Sequence, residues 1–291
     1  MDYKSGNIDL HVHSTASDGS LKPAELLALA EKIGLAALAL TDHDSIEGTK
    51  EILRYGPTES VRFLSGVEIS AQPPKFTKIS GSFHILGYGF SMDDSAINAM
   101  LQTQQTSRIN RNPYIIAKLQ DLGFEISMDE VIAASGNGQI GRPHIASLMV
   151  KKKFVTSIDE AFDKYLGKGK PAYVEKSRIP VHTAIELIRS AGGVAVLAHP
   201  GLINLGSSQL LEDLITELIS LGLKGIEVYY PSHTDSQTTY FDHLADKYHL
   251  LATGGTDFHG EINPEVRLGV GEGDFYVPYA VYENLLNTIN L

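Results

Sequence analysis

The stretch NIDLHVHSTASDGS, residues 7–20, brings two histidines and an aspartate close together in the chain. Side chains alternate between the two faces of a β-strand, so His11 and His13 point to the same side and can bind one ligand. An isolated H-x-H pair also occurs by chance in many strands. The rest of the chain therefore has to decide between a structural pair and a functional one.

The composition is that of an ordinary globular protein without cysteine. The chain has 291 residues, of which 43% are hydrophobic and 20% charged, enough for one large α/β domain or for one domain with an insertion. The absence of cysteine excludes disulfides, iron–sulfur clusters, thiolate zinc sites and a cysteine nucleophile. Any metal must therefore be held by nitrogen and oxygen ligands.

No segment indicates export or a membrane. The chain has no apolar run of about 18 residues. Its start, MDYKSGNID, lacks the charged-then-apolar layout of a signal peptide. We therefore expect a cytoplasmic protein with no membrane partner, and no motif points to an obligate protein partner.

Seven short apolar runs that end in polar residues predict seven β-strands. Near-continuous Val, Ile, Leu and Ala, as in GVAVLA (193–198), is typical of strands buried on both faces. Amphipathic helices such as SLKPAELLALAEKIG (20–34) alternate with the strands, which favours an α/β fold with a parallel sheet or barrel. Strand one lies around His11, and the other six lie within residues 35–44, 61–70, 82–90, 192–200, 223–233 and 249–259.

Residues 95–180 interrupt this alternation, because their pattern predicts helices and no strand. They carry 12 basic and 8 acidic side chains, whereas the remainder carries 12 and 27. We therefore predict a helical insertion over residues 95–180 that caps the active site, with residues 1–94 and 181–291 forming the barrel. A basic insertion can face an anionic substrate. The triplet KKK (151–153) taken alone can equally be a solvated helix end.

Nine polar side chains fall near the predicted carboxyl ends of strands. Active sites of parallel barrels are assembled at that face from several strand ends. Nine nitrogen and oxygen ligands are too many for one ion, since zinc takes about four and manganese or magnesium about six. The pattern therefore predicts a site for two or three divalent ions, held by His11, His13, Asp18, His43, Glu68, His84, His199, Asp257 and His259.

Several motifs resemble those of one known family. HVHSTASDGS, LTDHD, GVEIS, FHILGY, AHP and GTDFHG, in this order, resemble the PHP (polymerase and histidinol phosphatase) family. GIEVYYPSHT and GRPH are similar to its stand-alone nucleotide phosphoesterase branch. The resemblance runs from about residue 7 to 270 and implies a distorted seven-stranded (β/α) TIM-like barrel of the PHP type.

The resemblance also implies a trinuclear centre with three ligand sets. The first set is His11, His13, Glu68 and Asp257; the second is Glu68, His84 and His199; the third is Asp18, His43 and His259. Manganese is the first expectation for the metal, with zinc, iron(II) or magnesium as alternatives.

A cluster of divalent ions suits phosphate ester hydrolysis. Bound metal lowers the pKa of water, and paired ions stabilise the attacking and leaving oxygens. His233, Arg142 and His144 are the remaining candidates to bind the phosphate or to protonate the leaving group. Each of the three can instead be a structural or surface residue. The glycine-rich loop SGNGQIGRPH around Arg142 would let the backbone approach a ligand.

Several alternatives stay open at this point. An amidohydrolase-like barrel also opens with H-x-H, but Glu68 stands where many such enzymes carry a modified lysine. A sugar-phosphate or histidinol-phosphate phosphatase differs only in its substrate pocket. A proofreading exonuclease accessory role would require a polymerase fused to the chain, for which we expect no room in 291 residues. A non-enzymatic metal-binding scaffold would bind ions without turnover.

The resemblance suggests a nucleotide substrate: a nucleoside 5′-monophosphate, a 3′,5′-bisphosphate or the 5′ end of a short single-stranded RNA. The acidic remainder of the chain argues against a track for duplex DNA. Aromatic residues of the insertion can stack a base or can form the insertion's own core. These residues are Tyr114, Phe124, Phe154, Phe162 and Tyr165.

Overall fold

The computed structural model describes residues 6–289, apart from residues 57, 59, 78, 80, 81 and 136–139. Each of the seven predicted strand segments contains a strand, and a two-residue strand is added next to the insertion. The strands are β1 (Ile8–Val12), β2 (Ala37–Leu40), β3 (Arg62–Gln72), β4 (His84–Tyr88), β5 (Ile179–Pro180), β6 (Val194–Leu197), β7 (Gly225–Tyr229) and β8 (Leu251–Gly254).

The strands form one curled mixed sheet in the order β1-β2-β3-β4-β6-β7-β8, with β5 attached to β3. β4 pairs antiparallel with both of its neighbours, and the other pairs in the sheet are parallel. The expectation of an entirely parallel sheet was therefore wrong at one strand. A reversed strand shows the same alternation of side chains as a parallel one, so the sequence pattern could not reveal its direction.

The first and last strands of the sheet come together just beyond their ends. The backbone N–H of Asp257 donates to the carbonyl of His11 at 2.8 Å, and the N–H of His13 donates to the carbonyl of Phe258 at 2.9 Å. Val12 and Phe258 form a parallel bridge. These contacts bring the H-x-H segment and the TDFH segment into register with each other.

The described residues form ten α-helices beside the sheet: α1 (Pro23–Ile33), α2 (Glu47–Tyr55), α3 (Ser95–Asp121), α4 (Met128–Ser135), α5 (Arg142–Lys151), α6 (Ile158–Ala161), α7 (Val181–Ser190), α8 (Ser208–Ser220), α9 (Asp235–Tyr248) and α10 (Tyr279–Ile289). Helix α1 begins at Pro23, a residue that suits a first turn. It ends at Ile33, and the next residue, Gly34, forms a left-handed cap with a φ of 75°. Within the described part of the chain, none of the helices combines the length and the apolar character that a membrane span needs.

Two large apolar clusters lie against the sheet. One contains Ile69, Ile85, Ile185 and Leu214, and the other contains Leu10, Leu86, Val196, Tyr282 and Leu285. Side chains of outer helices and of strands are therefore buried together, which leaves the strand ends to carry polar groups.

Between β4 and β5 the described residues form helices α3 to α6 and a π-helical turn at Phe162–Leu166. They enclose an apolar cluster of their own, built on Ile115, Leu119, Ile145 and Met149. The boundaries 95 and 180 of the inserted subdomain stay a prediction.

Four of the five aromatic residues considered for base stacking belong to this internal cluster. Phe124, Phe154, Phe162 and Tyr165 pack against it, and the Phe124 ring contacts those of Phe154 and Tyr165 at 5.3 and 4.9 Å between centroids. Tyr114 is exposed. Four of the five side chains therefore belong to the core of these helices, which was the alternative to stacking a base.

The junction of β1 and the chain after β8 leaves no room for a side chain at Gly255. An added Cβ there would lie 2.2 Å from the backbone nitrogen of His11 and 2.5 Å from its Cβ. We expect Gly255→Ala to lower the free energy of unfolding by about 2–3 kcal/mol, because the two segments must separate. Urea unfolding measures this. Gly273→Ala is the matched control, since its Cβ would meet nothing within 4 Å, and it should change stability by less than about 0.5 kcal/mol. Equal stability of both variants would contradict the close approach.

Candidate metal centre

The loop after β1 is shaped by one buried carboxylate, that of Asp42. Asp42 accepts hydrogen bonds from the Ser14 backbone N–H at 2.7 Å, from the Ser14 hydroxyl at 2.8 Å and from the Ser17 hydroxyl at 2.6 Å. These contacts fold the loop so that Asp18 returns toward His13, with 3.9 Å between Asp18 Oδ1 and His13 Nδ1. Asp42, the residue before His43, therefore brings Asp18 close to the H-x-H pair.

The structure brings all nine sequence-predicted ligands to one edge of the sheet. Eight of them lie within, at the end of, or after strands that approach this edge from the same direction. His84 is the exception, because it is the first residue of β4. Since β4 runs antiparallel to its neighbours, its amino end meets the carboxyl ends of the others. The expectation that His84 lies near a carboxyl end was wrong, but the edge is the same.

Two of the nine have backbones in an unfavourable region. The φ angles of His199 and Asp257 are 29° and 55°, positive values that residues other than glycine rarely adopt. Such conformations persist where the surroundings impose them, and they concentrate at functional sites. Both residues belong to the nine candidate ligands.

Glu68 lies at the centre of the cluster and is completely buried. Its two carboxylate oxygens lie between 2.6 and 3.4 Å from nitrogen atoms of five histidines. The contacts to Oε1 come from His84 Nδ1 at 2.6 Å and His199 Nε2 at 2.9 Å, and those to Oε2 come from His43 Nδ1 at 2.8 Å, His13 Nε2 at 3.3 Å and His11 Nε2 at 3.4 Å.

Among the residues that the structure describes, three groups of side chains can hold an ion, because the ligand atoms within each group lie within 4.8 Å of one another. The groups are His11, His13, Glu68 and Asp257; His13, Asp18, His43 and His259; and His43, Glu68 and His84. The first has the membership that the family resemblance implied. The second adds His13, and the third contains His43 where His199 was expected. His199 nevertheless lies against Glu68 and within 3.3 Å of His84 Nδ1.

Seven buried nitrogen and oxygen atoms of this cluster make no hydrogen bond of acceptable geometry within the described residues. They are His11 Nε2, His13 Nε2, Asp18 Oδ1, His43 Nδ1, Glu68 Oε2, His199 Nδ1 and Asp257 Oδ1. Leaving one buried polar atom unsatisfied costs about 1–3 kcal/mol. A concentration of such atoms, all of types that coordinate divalent ions, fits metal binding.

The electrostatics agree with a site that attracts cations. Burial alone would lower the pKa of His13, but the nearby carboxylates of Asp257 and Glu68 outweigh it and raise that pKa to about 10. Burial opposes the charge of Glu68, yet the neighbouring histidines hold the pKa of this carboxyl well below its usual range. Glu68 is therefore negatively charged, and it favours the positively charged form of His13 beside it.

Glu227, which was not predicted from the sequence, positions one of the candidate ligands. This carboxylate on β7 is completely buried; its Oε1 lies 2.9 Å from His11 Nδ1, and its Oε2 accepts the backbone N–H of His199 at 2.7 Å. A carboxylate behind a ligating imidazole fixes the orientation of the ring. An acidic residue in the otherwise apolar run GIEVYY was the available signal.

A small cationic pocket adjoins the candidate metal ligands Asp18, His43 and His84. It has a volume of about 150 Å³ and is lined by five basic side chains, Arg108, Arg111, Arg142, Lys176 and Arg178. Only Arg142 was singled out from the sequence. The net positive charge of the insertion was the signal for the other four, but it could not say which would face inward.

Asp44 is the anchor of this pocket. Its carboxylate accepts from Arg108 Nη2 at 2.7 Å, from Lys176 Nζ at 2.8 Å and from the backbone N–H of Ser70 at 2.8 Å. One carboxylate therefore ties two basic residues of the insertion to the loop that carries His43. It balances only one of the five positive charges.

The remaining positive charge is poorly compensated. The Nε atoms of Arg108 and Arg111, both buried, make no hydrogen bond within the described chain. Burial, with the neighbouring Arg108 and Arg142, lowers the pKa of Arg111 to about 9. Burial and Arg108 likewise lower the pKa of Lys176 to about 7. A buried surplus of cations is the signature of a site for an anion.

Arg142 is the first residue of α5 and reaches the pocket with part of its guanidinium. Its Nη1 donates to the carbonyl of Leu166 at 2.9 Å, and its Cζ lies 5.5 Å from the ring centroids of Phe162 and Tyr173. These contacts hold the group in place, and within the described residues its other N–H groups make no hydrogen bond. Residues 136–139 of the glycine-rich loop that precedes it lie outside the described residues.

The two histidine candidates occupy different surroundings. His144 Nδ1 accepts the backbone N–H of Gly141 at 3.0 Å, so a neutral His144 carries its proton on Nε2, and burial lowers its pKa. His233 Nδ1 donates to the carbonyl of Val228 at 2.9 Å, while its Nε2 accepts from the N–H of Gly201 at 3.2 Å. His233 thus bridges two backbone segments, and its predicted catalytic role gains no support from these contacts.

A family model described as "PHP domain" matches residues 9–188, a range that includes six of the nine predicted ligands. A 3′,5′-nucleoside bisphosphate phosphatase of Chromobacterium violaceum is 36% identical over 254 residues, covering 87% of each chain. A 5′-3′ exoribonuclease of Haemophilus influenzae is 35% identical over 252 residues, covering 86% of this chain and 89% of the relative.

A solved structure of similar fold supports the same family relationship. The crystal structure of a proposed metal-dependent phosphoesterase from Bifidobacterium adolescentis superimposes with a TM-score of 0.84 and 27% sequence identity. The superposition covers 97% of this chain and 96% of the other. The likeness therefore extends over the whole fold and includes the inserted helices.

The contact between Glu227 and His11 leads to a prediction about metal affinity. We expect Glu227→Gln to weaken binding of Mn²⁺ by about 10- to 100-fold, because His11 loses the charged partner that orients its ring. Titration with Mn²⁺, followed by electron paramagnetic resonance of the free ion, measures this without relying on turnover. Glu217→Gln, an exposed position on α8, is the control and should bind as the native protein does. An unchanged affinity in Glu227→Gln would show that the carboxylate has no part in metal binding.

Proposed function

This chain belongs to the PHP family, and we propose from that membership that it is a metal-dependent phosphoesterase acting on nucleotides. The observation that carries the proposal is the cluster of buried, unsatisfied nitrogen and oxygen atoms next to a pocket with surplus positive charge. The first feature suits divalent ions, and the second suits a phosphate group. Together they describe a site where a phosphate ester can be held and hydrolysed.

We propose that the nine clustered residues hold two or three divalent ions, with manganese as the first expectation and zinc, iron(II) or magnesium as alternatives. The all-nitrogen and oxygen ligand set and the three overlapping groups support more than one ion. When bound, such ions supply Lewis acidity, which lowers the pKa of a water molecule and stabilises charge on phosphate oxygens. The contribution of the chain is to hold the ligands and to exclude bulk water.

The proposed scaffold is the distorted seven-stranded barrel of the PHP type, with residues 95–180 as a cap. The bridge between Val12 and Phe258 supports closure of the curled sheet. The separate apolar cluster of helices α3 to α5 supports an insertion with a core of its own. The cap brings Arg108, Arg111 and Arg142 over the ligands that the strands provide.

The cationic pocket would bind a second phosphate of the same substrate. Its volume of about 150 Å³ is below the usual 300–1,000 Å³ of sites that hold a whole small molecule, so it suits one phosphate better than a nucleoside. Its position beside Asp18, His43 and His84 sets that phosphate close to the reacting one. A nucleoside 3′,5′-bisphosphate and the 5′ end of an RNA both carry two phosphates separated by one ribose.

His144 would hold a proton close to the reacting phosphate. Because Gly141 occupies Nδ1, the neutral ring presents Nε2–H, which can donate a hydrogen bond to a phosphate or leaving-group oxygen. Arg142 would fix one phosphate through its free N–H groups. Both roles follow from the position of α5, whose first turn carries the two residues.

The proposal predicts a specific dependence on Arg111. We expect Arg111→Gln to lower kcat/KM for adenosine 3′,5′-bisphosphate by about 10- to 150-fold, since a charged hydrogen bond is worth about 1.5–3 kcal/mol. The same substitution should have a much smaller effect on p-nitrophenyl phosphate, which has no second phosphate. The melting temperature should not fall, because the substitution removes one uncompensated buried charge.

Arg54→Gln, at the exposed end of α2, is the matched control and should leave both substrates unaffected. Equal losses on the two substrates would contradict a pocket for the second phosphate. If the manganese-loaded native protein hydrolysed neither substrate, the phosphoesterase proposal itself would fail, and a metal-binding scaffold would remain.

A further inference from the structure

Two cavities of very different charge meet at the metal centre. The first is the cationic pocket beside Asp18, His43 and His84. The second is a cleft of about 760 Å³ whose lining includes Asp257 and His259. Pro143, at the start of α5, lies on the border of both.

The cleft is lined by acidic side chains. Besides the ligand Asp257, four carboxylates line it, and all four are exposed. They are Asp159, Glu261, Glu265 and Glu272. No lysine or arginine is among the described residues that line the cleft. The cleft therefore offers, among its described lining residues, no lysine or arginine like the five that line the cationic pocket.

The two cavities differ in size and charge, so they suit different parts of a substrate. The cationic pocket has room for one phosphate, whereas the cleft has the volume of a typical small-molecule site. When one phosphate lies in the pocket and the next at the metal ligands, whatever follows the second phosphate would extend toward the cleft. A nucleoside 3′,5′-bisphosphate ends at that second phosphate, because its base branches from the ribose between the two phosphates, so it brings no further charge toward the cleft. A continuing RNA strand would bring its next phosphate among the four carboxylates.

We propose that the acidic cleft restricts this enzyme to short substrates with a terminal phosphate, such as a nucleoside 3′,5′-bisphosphate, and disfavours the continuing strand of a longer 5′-phosphorylated RNA. The inference rests on the proposed function, because it assumes hydrolysis at the metal cluster. It separates two activities that the names of the relatives leave side by side, a nucleoside bisphosphate phosphatase and an exoribonuclease.

The physical basis is repulsion between like charges in a cleft that offers no compensating cation. A protein that tracks RNA neutralises phosphates with lysine and arginine, so its affinity falls as salt rises. Here the carboxylates face the strand, and added salt screens their repulsion over about 8 Å at physiological ionic strength. The preference for the bisphosphate over RNA should therefore weaken as salt rises, which is the opposite of the behaviour of an RNA-tracking enzyme.

The test compares adenosine 3′,5′-bisphosphate with a 5′-phosphorylated RNA of five nucleotides, using the full manganese-loaded protein at two salt concentrations. We expect kcat/KM for the RNA to be at least about 10-fold lower, since like-charge contacts discriminate strongly between partners. The ratio of RNA to bisphosphate should rise with salt. It should also rise about 3- to 10-fold in a variant that neutralises three carboxylates of the cleft. That variant is Glu261→Gln, Glu265→Gln, Glu272→Gln.

A matched control neutralises three exposed carboxylates on the outer helices α7 and α8, and its ratio should equal that of the native protein. The control is Glu186→Gln, Asp213→Asn, Glu217→Gln. Native protein that cleaved the RNA as well as the bisphosphate, or a cleft variant with an unchanged ratio, would overturn the inference while leaving the phosphoesterase function intact. Absence of turnover on both substrates would overturn the function and the inference together.

Discussion

The buried carboxylate of Glu68, surrounded by five imidazoles, is the contact on which the rest of the site depends. No single strand could supply such surroundings, since the histidines come from the ends of β1, β2 and β6 and from the start of β4. An unpaired carboxylate with no water around it would be very costly. The curled sheet, the reversal of β4 and the positive φ of His199 are therefore parts of one arrangement that brings nitrogen atoms to a single acid.

Charge is distributed around this centre in a consistent way. The strand ends of the sheet provide carboxylates and imidazoles that attract cations, and residues 95–180 provide guanidinium and ammonium groups that attract an anion. Asp44 joins the two sets, because it lies beside His43 in the chain and accepts hydrogen bonds from Arg108 and Lys176. The positive net charge of residues 95–180 in an otherwise acidic chain is the sequence trace of this division.

Local patterns in the sequence indicated much of the fold and of the candidate site. Each predicted strand segment contains a strand, because buried strands leave a continuous apolar signal that ends where polar residues begin. The nine proposed ligands converge because strand ends share an edge. Tertiary contacts decided the rest. The direction of β4 left no mark on its side-chain alternation, and Glu227 became a partner of His11 only through the pairing of distant strands. For His233, the two backbone contacts could not be seen in the motif that contains it.

The number of ions bound by the protein tests the central claim most directly. The native chain should be stripped with chelator, equilibrated with excess Mn²⁺, desalted and measured by inductively coupled plasma mass spectrometry beside Glu68→Gln, with circular dichroism to confirm that both are folded. We expect at least two ions per native chain and at least one fewer in the variant, because Glu68 belongs to two of the three ligand groups. A native chain that retained no ion, or a folded variant that retained as many as the native chain, would contradict a metal centre built around this carboxylate.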